Sequence, residues 1–209
     1  MREQLIDFNL YLITGRKLLA AHHSLFSAVE DALKAGVRAV QLREKDLPIR
    51  ELLEMAYEMR ELTGKYRARL FINDRVDIAV CVEADGVHLG QSGIPVSAVR
   101  NMVKEGFIIG ASTHSVEEAT TAEREGADFI TFGPLFETPS KIKYGVPLGI
   151  DALREVRERV SIPFFGIGGI KPGNVREVMN SGAFGIALIS GILAEADIKG
   201  AAERYLNIM

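Results

Sequence analysis

Glutamine, arginine and lysine at alternate positions in Gln41-Leu42-Arg43-Glu44-Lys45-Asp46 form the most chemically loaded stretch of this chain. If extended backbone runs through them, all three side chains project the same way, because successive residues of a strand alternate faces. Two cations and an amide so placed make an anion site. The competing reading is a solvated loop in which Glu44 and Asp46 neutralise the cations. Asn73-Asp74 sets a carboxamide beside a carboxylate, hard oxygen ligands suited to magnesium shared with substrate phosphates. Asp74 is equally well placed to cap a helix starting near Val76. Gly166-Ile167-Gly168-Gly169 and the Ile189-Ser190-Gly191 segment point to phosphate, since glycine lets backbone N–H groups approach oxygen closely. Tight turns would also use those glycines. Gly133–Gly145 is the longest irregular segment, and its Thr138, Pro139, Ser140 and Lys141 place hydroxyls and a cation where a binding loop would need them.

These residues share one feature: each follows a short apolar run. The runs are Leu10–Thr14, Val37–Arg43, Leu70–Asn73, Gly86–Leu89, Phe107–Ala111, Phe129–Phe132, Phe164–Ile167 and Ile186–Ile189. Continuous apolar character marks strands buried on both faces, and helical stretches between them imply parallel βαβ crossovers. Eight units predict an α/β fold, a single-domain (β/α)8 TIM barrel over residues 1–209. Barrel active sites lie at the carboxyl ends of the strands, which nominates Gln41, Arg43, Lys45, Asn73, Asp74, Gln91, Ser112, Thr138, Lys141, Gly168 and Ser190. Helices are expected at Leu25–Lys34 behind a Ser24 cap, Ile49–Thr63, Val76–Val82, Val96–Val103, after Ser115, and at Gly149–Arg159, Pro172–Ser181 and Gly191–Asn207. Of the histidines, His22 and His23 read as loop residues and His88 as a strand residue. His114 follows the fifth strand on the favourable face.

Composition narrows the function classes. A net charge of −3 gives no electrostatic reason for a nucleic-acid or anionic-membrane partner. No apolar segment approaches the roughly 20 residues of a membrane span, and Met1–Asp7 has no signal-peptide pattern. The single cysteine, Cys81, lies in the apolar stretch Ile78–Val82; it reads as a packed core residue and suits a reducing, cytoplasmic compartment. Small phosphorylated substrates are the partners that the strand-end residues suggest. A homo-oligomer is compatible with this reading.

Taken in order, Tyr11-Leu-Ile-Thr, Gln41-Leu-Arg-Glu-Lys, Asn73-Asp74, Gly86-Val-His-Leu-Gly-Gln91, Gly110-Ala-Ser-Thr-His-Ser115, Gly133-Pro-Leu-Phe, Thr138-Pro-Ser-Lys141, Gly166-Ile-Gly-Gly-Ile170 and Ile189-Ser190 resemble the family of thiamine phosphate synthase and its close relative, the thiazole tautomerase. The resemblance spans nearly the whole chain. It implies a (β/α)8 barrel that joins hydroxymethylpyrimidine diphosphate to hydroxyethylthiazole phosphate with magnesium. It also implies that Gln41, Leu42, Arg43, Glu44, Lys45, Asn73, Ser112 and Lys141 contact the pyrimidine diphosphate. By the same resemblance Thr138, Pro139, Ser140, Gly168, Ile189 and Ser190 contact the thiazole phosphate, and Asp74 is a magnesium ligand. Arg43, Lys45, Ser112 and Lys141 are the residues expected to act on the leaving diphosphate.

The chain also departs from the family pattern. Synthases usually carry a second aspartate ligand where this chain has Gly93, which should weaken magnesium binding; Gly15 likewise stands where aspartate is common. The tautomerase branch uses a histidine where Pro134 stands, and proline is no acid or base. Tautomerase activity with His114 as substitute base, and a catalytically silent phosphate-binding module, remain as alternatives.

Overall fold

The computed structural model describes residues 5–20, 23–138 and 146–209. The apolar runs form parallel strands β1 (Leu10–Ile13), β2 (Ala39–Leu42), β3 (Arg69–Asn73), β4 (Gly86–Leu89), β5 (Ile108–Thr113), β6 (Phe129–Phe132), β7 (Phe164–Ile167) and β8 (Gly185–Leu188). Each strand pairs with its sequence neighbour, and β1 pairs with β8, so the barrel closes as the repeating pattern predicts. Around it lie α1 (Leu25–Ala35), α2 (Ile49–Lys65), α3 (Val76–Cys81), α4 (Val96–Met102), α5 (Val116–Arg124), α6 (Gly149–Arg159), α7 (Val175–Asn180), α8 (Ser190–Leu193) and α9 (Ile198–Ile208). Among the described residues no helix is long and apolar enough to cross a membrane.

Strand alternation splits the core in two. Leu10, Leu12, Val40, Leu42, Leu70 and Ile72 face the helices, whereas Tyr11, Ile13, Ala39, Phe71, Ile108, Phe129, Phe165 and Ala187 fill the barrel interior. Phe8, just before β1, packs its ring on Tyr11, Phe71, Phe129 and Phe165 at centroid distances of 5.2–5.9 Å, filling the amino-terminal end with aromatic contacts. Ion pairs reinforce that end in a repeated arrangement. Asp85, immediately before β4, accepts the N–H of Leu70 at 2.8 Å and pairs with Arg60 and Arg69 at 2.6 and 3.0 Å. Asp128, immediately before β6, accepts the N–H of Ile109 at 2.8 Å and pairs with Arg100. In both cases an aspartate stitches a strand to its neighbour and holds an arginine from the helix leading into that strand.

Local signals fix both ends of α1. The Ser24 hydroxyl accepts the Ser27 N–H at 3.1 Å, the Ser27 hydroxyl accepts the Ser24 N–H at 3.0 Å, and Gly36 at φ +115° terminates α1 in the left-handed region. Three expectations need correction. The single helix expected over Gly191–Asn207 is two, α8 and α9, because the Asp197 carboxylate caps a new start by accepting the Gly200 N–H at 2.9 Å. The helix expected from Pro172 opens as a 3-10 turn over Pro172–Asn174, where the Asn174 side chain accepts from the Lys171 N–H at 2.8 Å and donates to the Gly169 carbonyl at 3.2 Å. Cys81 is exposed and not packed: Ile78, Ala79 and Val82 turn inward, and helical geometry leaves Cys81 on the outer face beside Val80.

Candidate active site

At the carboxyl end of β2 the acids and the cations separate. Glu44 and Asp46 do not neutralise Arg43 and Lys45. They bind Arg16 from the loop after β1: its Nη1 lies 3.2 Å from Glu44 Oε2 and 2.6 Å from Asp46 Oδ1, with Lys17 Nζ 2.8 Å from Asp46 Oδ2. The Arg16 and Lys17 bonds hold the Asp46 carboxyl well below the usual carboxylate range. Glu44 is buried by this pairing, so its carboxylate is engaged with Arg16 and not presented in the mouth. Leu42 points outward into the helix layer. Arg43 is fixed through its backbone, whose N–H donates to Thr14 Oγ1 at 2.8 Å. Its guanidinium, half-buried, has no partner among the described residues. Lys45 reaches back to Asp74, Nζ to Oδ2 at 3.4 Å, bringing the loops after β2 and β3 together, although β2 itself ends at Leu42.

Asp74 is not a helix cap. Its backbone stands at φ +58°, Arg75 occupies the position before α3 without a side-chain cap, and the carboxylate turns to the mouth. There Oδ1 accepts the Gly90 N–H at 2.6 Å and Oδ2 accepts from Asn73 Nδ2 at 2.7 Å. Non-glycine residues at positive φ are uncommon and cluster at functional sites. Residue 93 faces this carboxylate: a Cβ built on Gly93 would lie 3.2 Å from Asp74 Oδ1. No group of three or more His, Cys, Asp or Glu able to hold a metal occurs among the described residues. The Asp74 carboxylate is a hard oxygen donor of the kind magnesium takes alongside water and phosphate oxygens.

Ser112, near the end of β5, sits over a buried polar column. His88 Nε2 lies 3.1 Å from Ser112 Oγ and 3.4 Å from Thr131 Oγ1, and His88 Nδ1 lies 3.4 Å from the Tyr11 hydroxyl. Gln41 Nε2 donates to that hydroxyl at 3.1 Å. Burial, opposed by Asp74 and aided by Arg43, pushes His88 down to about 3, so the ring is neutral. Gln91 donates to the Ser112 carbonyl at 2.5 Å. Outward of Ser112 and Gly93 a cleft of about 340 Å³ runs to α5, where Glu117, Glu118 and Glu125 line it. Those carboxylates make that wall unfavourable to an anion. His114 turns away, its Nδ1 3.4 Å from Glu118 Oε2 on α5.

The ends of β7 and β8 adjoin through paired strands. Gly168 and Gly169 stand at φ +94° and +67°, and a Cβ there would strike Pro134 at 2.7 Å and Phe136 at 2.6 Å. These glycines let the loop after β6 lie against the end of β7, with the Phe136 N–H donating to the Gly168 carbonyl at 3.1 Å. Ile189 is half-buried and Ser190 exposed at the end of β8. Thr138 belongs to the described part of the loop; Pro139, Ser140 and Lys141 lie outside the described residues, as does His22.

A sequence model for thiamine monophosphate synthase matches residues 10–192. The chain belongs to the thiamine monophosphate synthase family. A relative from Geobacter sulfurreducens is 51% identical over 98% of this chain and 95% of its own length. A thiamine-phosphate synthase from Clostridium novyi is 43% identical over 97% of this chain and 99% of its own. Among solved structures, thiamine phosphate pyrophosphorylase from Pyrococcus furiosus superimposes with a TM-score of 0.88 at 38% identity, covering 98% of this chain and 96% of that one. The resemblance read from the motifs and the barrel fold both stand.

Within this member of the synthase family, two features of the site were not foreseen from residue types. Arg16 is the counter-ion that frees Arg43, and its signal was the Arg16-Lys17 pair standing opposite Glu44 and Asp46 across adjacent strand ends. Tyr11 and His88 form the column under Ser112, and each looked like an ordinary strand residue.

Proposed function

We propose that this chain couples hydroxymethylpyrimidine diphosphate with hydroxyethylthiazole phosphate, giving thiamine phosphate and pyrophosphate. One observation carries the reading: a half-buried guanidinium, Arg43, without a partner among the described residues, follows the carboxyl end of β2 in the same loop as Lys45, which pairs with Asp74. An unpaired, partly desolvated cation is costly unless an anion completes it. Membership of the synthase family supports the pyrimidine diphosphate as that anion.

The bond between the pyrimidine methylene carbon and the diphosphate oxygen breaks, and both electrons leave with pyrophosphate. The thiazole ring nitrogen supplies the pair that forms the new carbon–nitrogen bond. No proton need move at nitrogen, in keeping with a site where the one central histidine is neutral and His114 is turned to Glu118. Arg43, Lys45, Lys141 and the Ser112 hydroxyl stabilise the charge that grows on the leaving group, worth most in a water-poor mouth. Asn73 and Gln41 orient the pyrimidine; Leu42 and Glu44 serve through backbone and through the anchoring of Arg16. Thr138, Pro139, Ser140, Gly168, Ile189 and Ser190 hold the thiazole phosphate between the loops after β6, β7 and β8, in line with the methylene carbon. Asp74 would hold a magnesium ion that offsets part of the diphosphate charge, and with Gly93 opposite it the remaining ligands would be water and substrate oxygens. A lone thiol, Cys81, and the absence of a membrane-spanning helix among the described residues suit a cytoplasmic enzyme.

The test is a coupling assay with both phosphorylated substrates, with and without magnesium, following thiamine phosphate and pyrophosphate. Stoichiometric appearance of both products is expected. Tight substrate binding without products would replace the enzyme with a binding module. Conversion of a thiazole carboxylate phosphate to its tautomer alone would select the isomerase.

A further inference from the structure

The polar column inside the barrel has a direction, and the direction matters for what the mouth presents. Tyr11, Gln41 and His88 are 0%, 1% and 2% exposed, sealed among the interior aromatic rings. The order of contacts is Gln41 Nε2 to Tyr11 hydroxyl at 3.1 Å, Tyr11 hydroxyl to His88 Nδ1 at 3.4 Å, and His88 Nε2 to Ser112 Oγ at 3.1 Å, with Thr131 Oγ1 farther from the same nitrogen at 3.4 Å. No buried side-chain nitrogen or oxygen among the described residues lacks a partner.

The tyrosine hydroxyl owns one proton and has two polar side-chain neighbours among the described residues, so the chain can be wired in two consistent ways. In the first, Gln41 donates to Tyr11, Tyr11 donates to Nδ1, and the neutral ring carries its proton on Nε2, donating to Ser112. The Ser112 hydroxyl proton is then free to point into the mouth, and the Gln41 carbonyl oxygen takes no part in the column. In the second every bond reverses: Ser112 gives its proton to Nε2 and offers only lone pairs, while Gln41 offers amide protons. Mixed wirings set proton against proton or lone pair against lone pair in a dry interior, which is costly.

The surroundings choose between them. Arg43, just past the end of β2 and close enough to act on the His88 ring, is a cation without a partner among the described residues. It attracts a carbonyl oxygen and repels amide protons. An anion arriving beside Ser112 requires a hydroxyl proton, not a lone pair. We propose that His88 is a positioning residue: through Tyr11 and Gln41 it is held with its proton on Nε2, and so fixes Ser112 as a hydrogen-bond donor toward the diphosphate. The claim rests on the reading of Ser112 as a diphosphate contact. It adds a specificity rule: the mouth presents a donor at Ser112, set by one buried ring.

Protein labelled with ¹⁵N-histidine tests the wiring directly, and the chain has only four histidines to assign. Long-range ¹H–¹⁵N correlations should show His88 protonated on Nε2 and bare on Nδ1. Tyr11→Phe, which removes the proton that pins Nδ1, should introduce the opposite tautomer. A wild-type ring protonated on Nδ1 would overturn the proposal. Calorimetric titration with inorganic pyrophosphate supplies the functional arm. His88→Gln, whose side-chain amide reaches the Nε2 position, should bind within about threefold of wild type. His88→Asn, which reaches only the Nδ1 position, should lose about tenfold, the usual scale of one hydrogen bond to a charged group. Equal losses in both variants, with both folded, would also overturn the relay. Ser112→Ala separates the two readings: unchanged pyrophosphate affinity alongside the expected tautomer would sink the diphosphate placement and leave the wiring standing.

Discussion

The two ends of the barrel treat charge in opposite ways. At the amino-terminal end Asp85 and Asp128 each accept a strand N–H and hold arginines from neighbouring elements, Arg60 and Arg69 in one case and Arg100 in the other. At the carboxyl-terminal end Arg43 has no partner among the described residues, Lys45 stands 3.4 Å from Asp74, and Asp74 holds a left-handed backbone. The lesson is that pairing acids with cations is a stabilising device where the partners belong to the protein, and leaving them apart is a binding device. Arg16 makes the second possible by taking up Glu44 and Asp46, the acids that would otherwise quench the mouth.

The contrast can be broken first at the stable end. Asp85→Ala strands the Leu70 N–H and removes the carboxylate shared by Arg60 and Arg69, leaving Arg69 only Asp7, and should destabilise by about 3 kcal/mol in urea denaturation. Turnover of the folded protein should stay within error of wild type. A loss of turnover with unchanged stability would reverse the assignment of the two ends.

Next is the pH dependence. The His88 ring is pushed from 6.5 to about 3 by burial, so from pH 6.5 down to about 3 the unfolded chain binds a proton that the native one does not. Stability should therefore fall on acidification through that window, by up to about 1.4 kcal/mol per pH unit from this group. His88→Gln should flatten the slope of melting temperature against pH between 6.5 and 5. Parallel slopes would mean that His88 is charged in the fold.

Gly93→Asp sharpens the comparison by adding an acid at the binding end. Gly93 is not in the left-handed region, and a Cβ there meets Asp74 Oδ1 and the Gly90 carbonyl at 3.2 Å, a close fit that a small shift relieves. Magnesium affinity without diphosphate should rise on the order of tenfold through the second hard ligand, read by calorimetry. Identical isotherms in a folded variant would show that residue 93 does not serve the metal. The smallest effect is expected at His114, whose ring pairs with Glu118: His114→Asn should leave coupling within about twofold, since a positional contact of that kind contributes under 1 kcal/mol. Abolished coupling would bring histidine acid–base chemistry back into the mechanism.

Much of this was legible before any coordinates. β4, β6 and β7 run from the first to the last residue of their apolar runs, and α6 from Gly149 to Arg159, because strands buried on both faces and amphipathic helices write their period into the chain. What escaped was tertiary. Nothing local distinguishes Cys81 on the outside of α3 from its apolar neighbours, and the break before α9 depended on one capping aspartate. The pairing of Arg16 with Glu44 and Asp46 joins residues about 30 positions apart. The direction of the Gln41–Tyr11–His88–Ser112 column arises from four strands meeting in space.

The central claim is that the binding end keeps Arg43 unpaired for a diphosphate. Titrating inorganic pyrophosphate with magnesium into wild type and Arg43→Ala, with thermal melts of both, tests it most directly. The account predicts at least about a tenfold loss of affinity, the scale of a charge-assisted contact, with superimposable melts. Equal affinities in two equally stable proteins would contradict it.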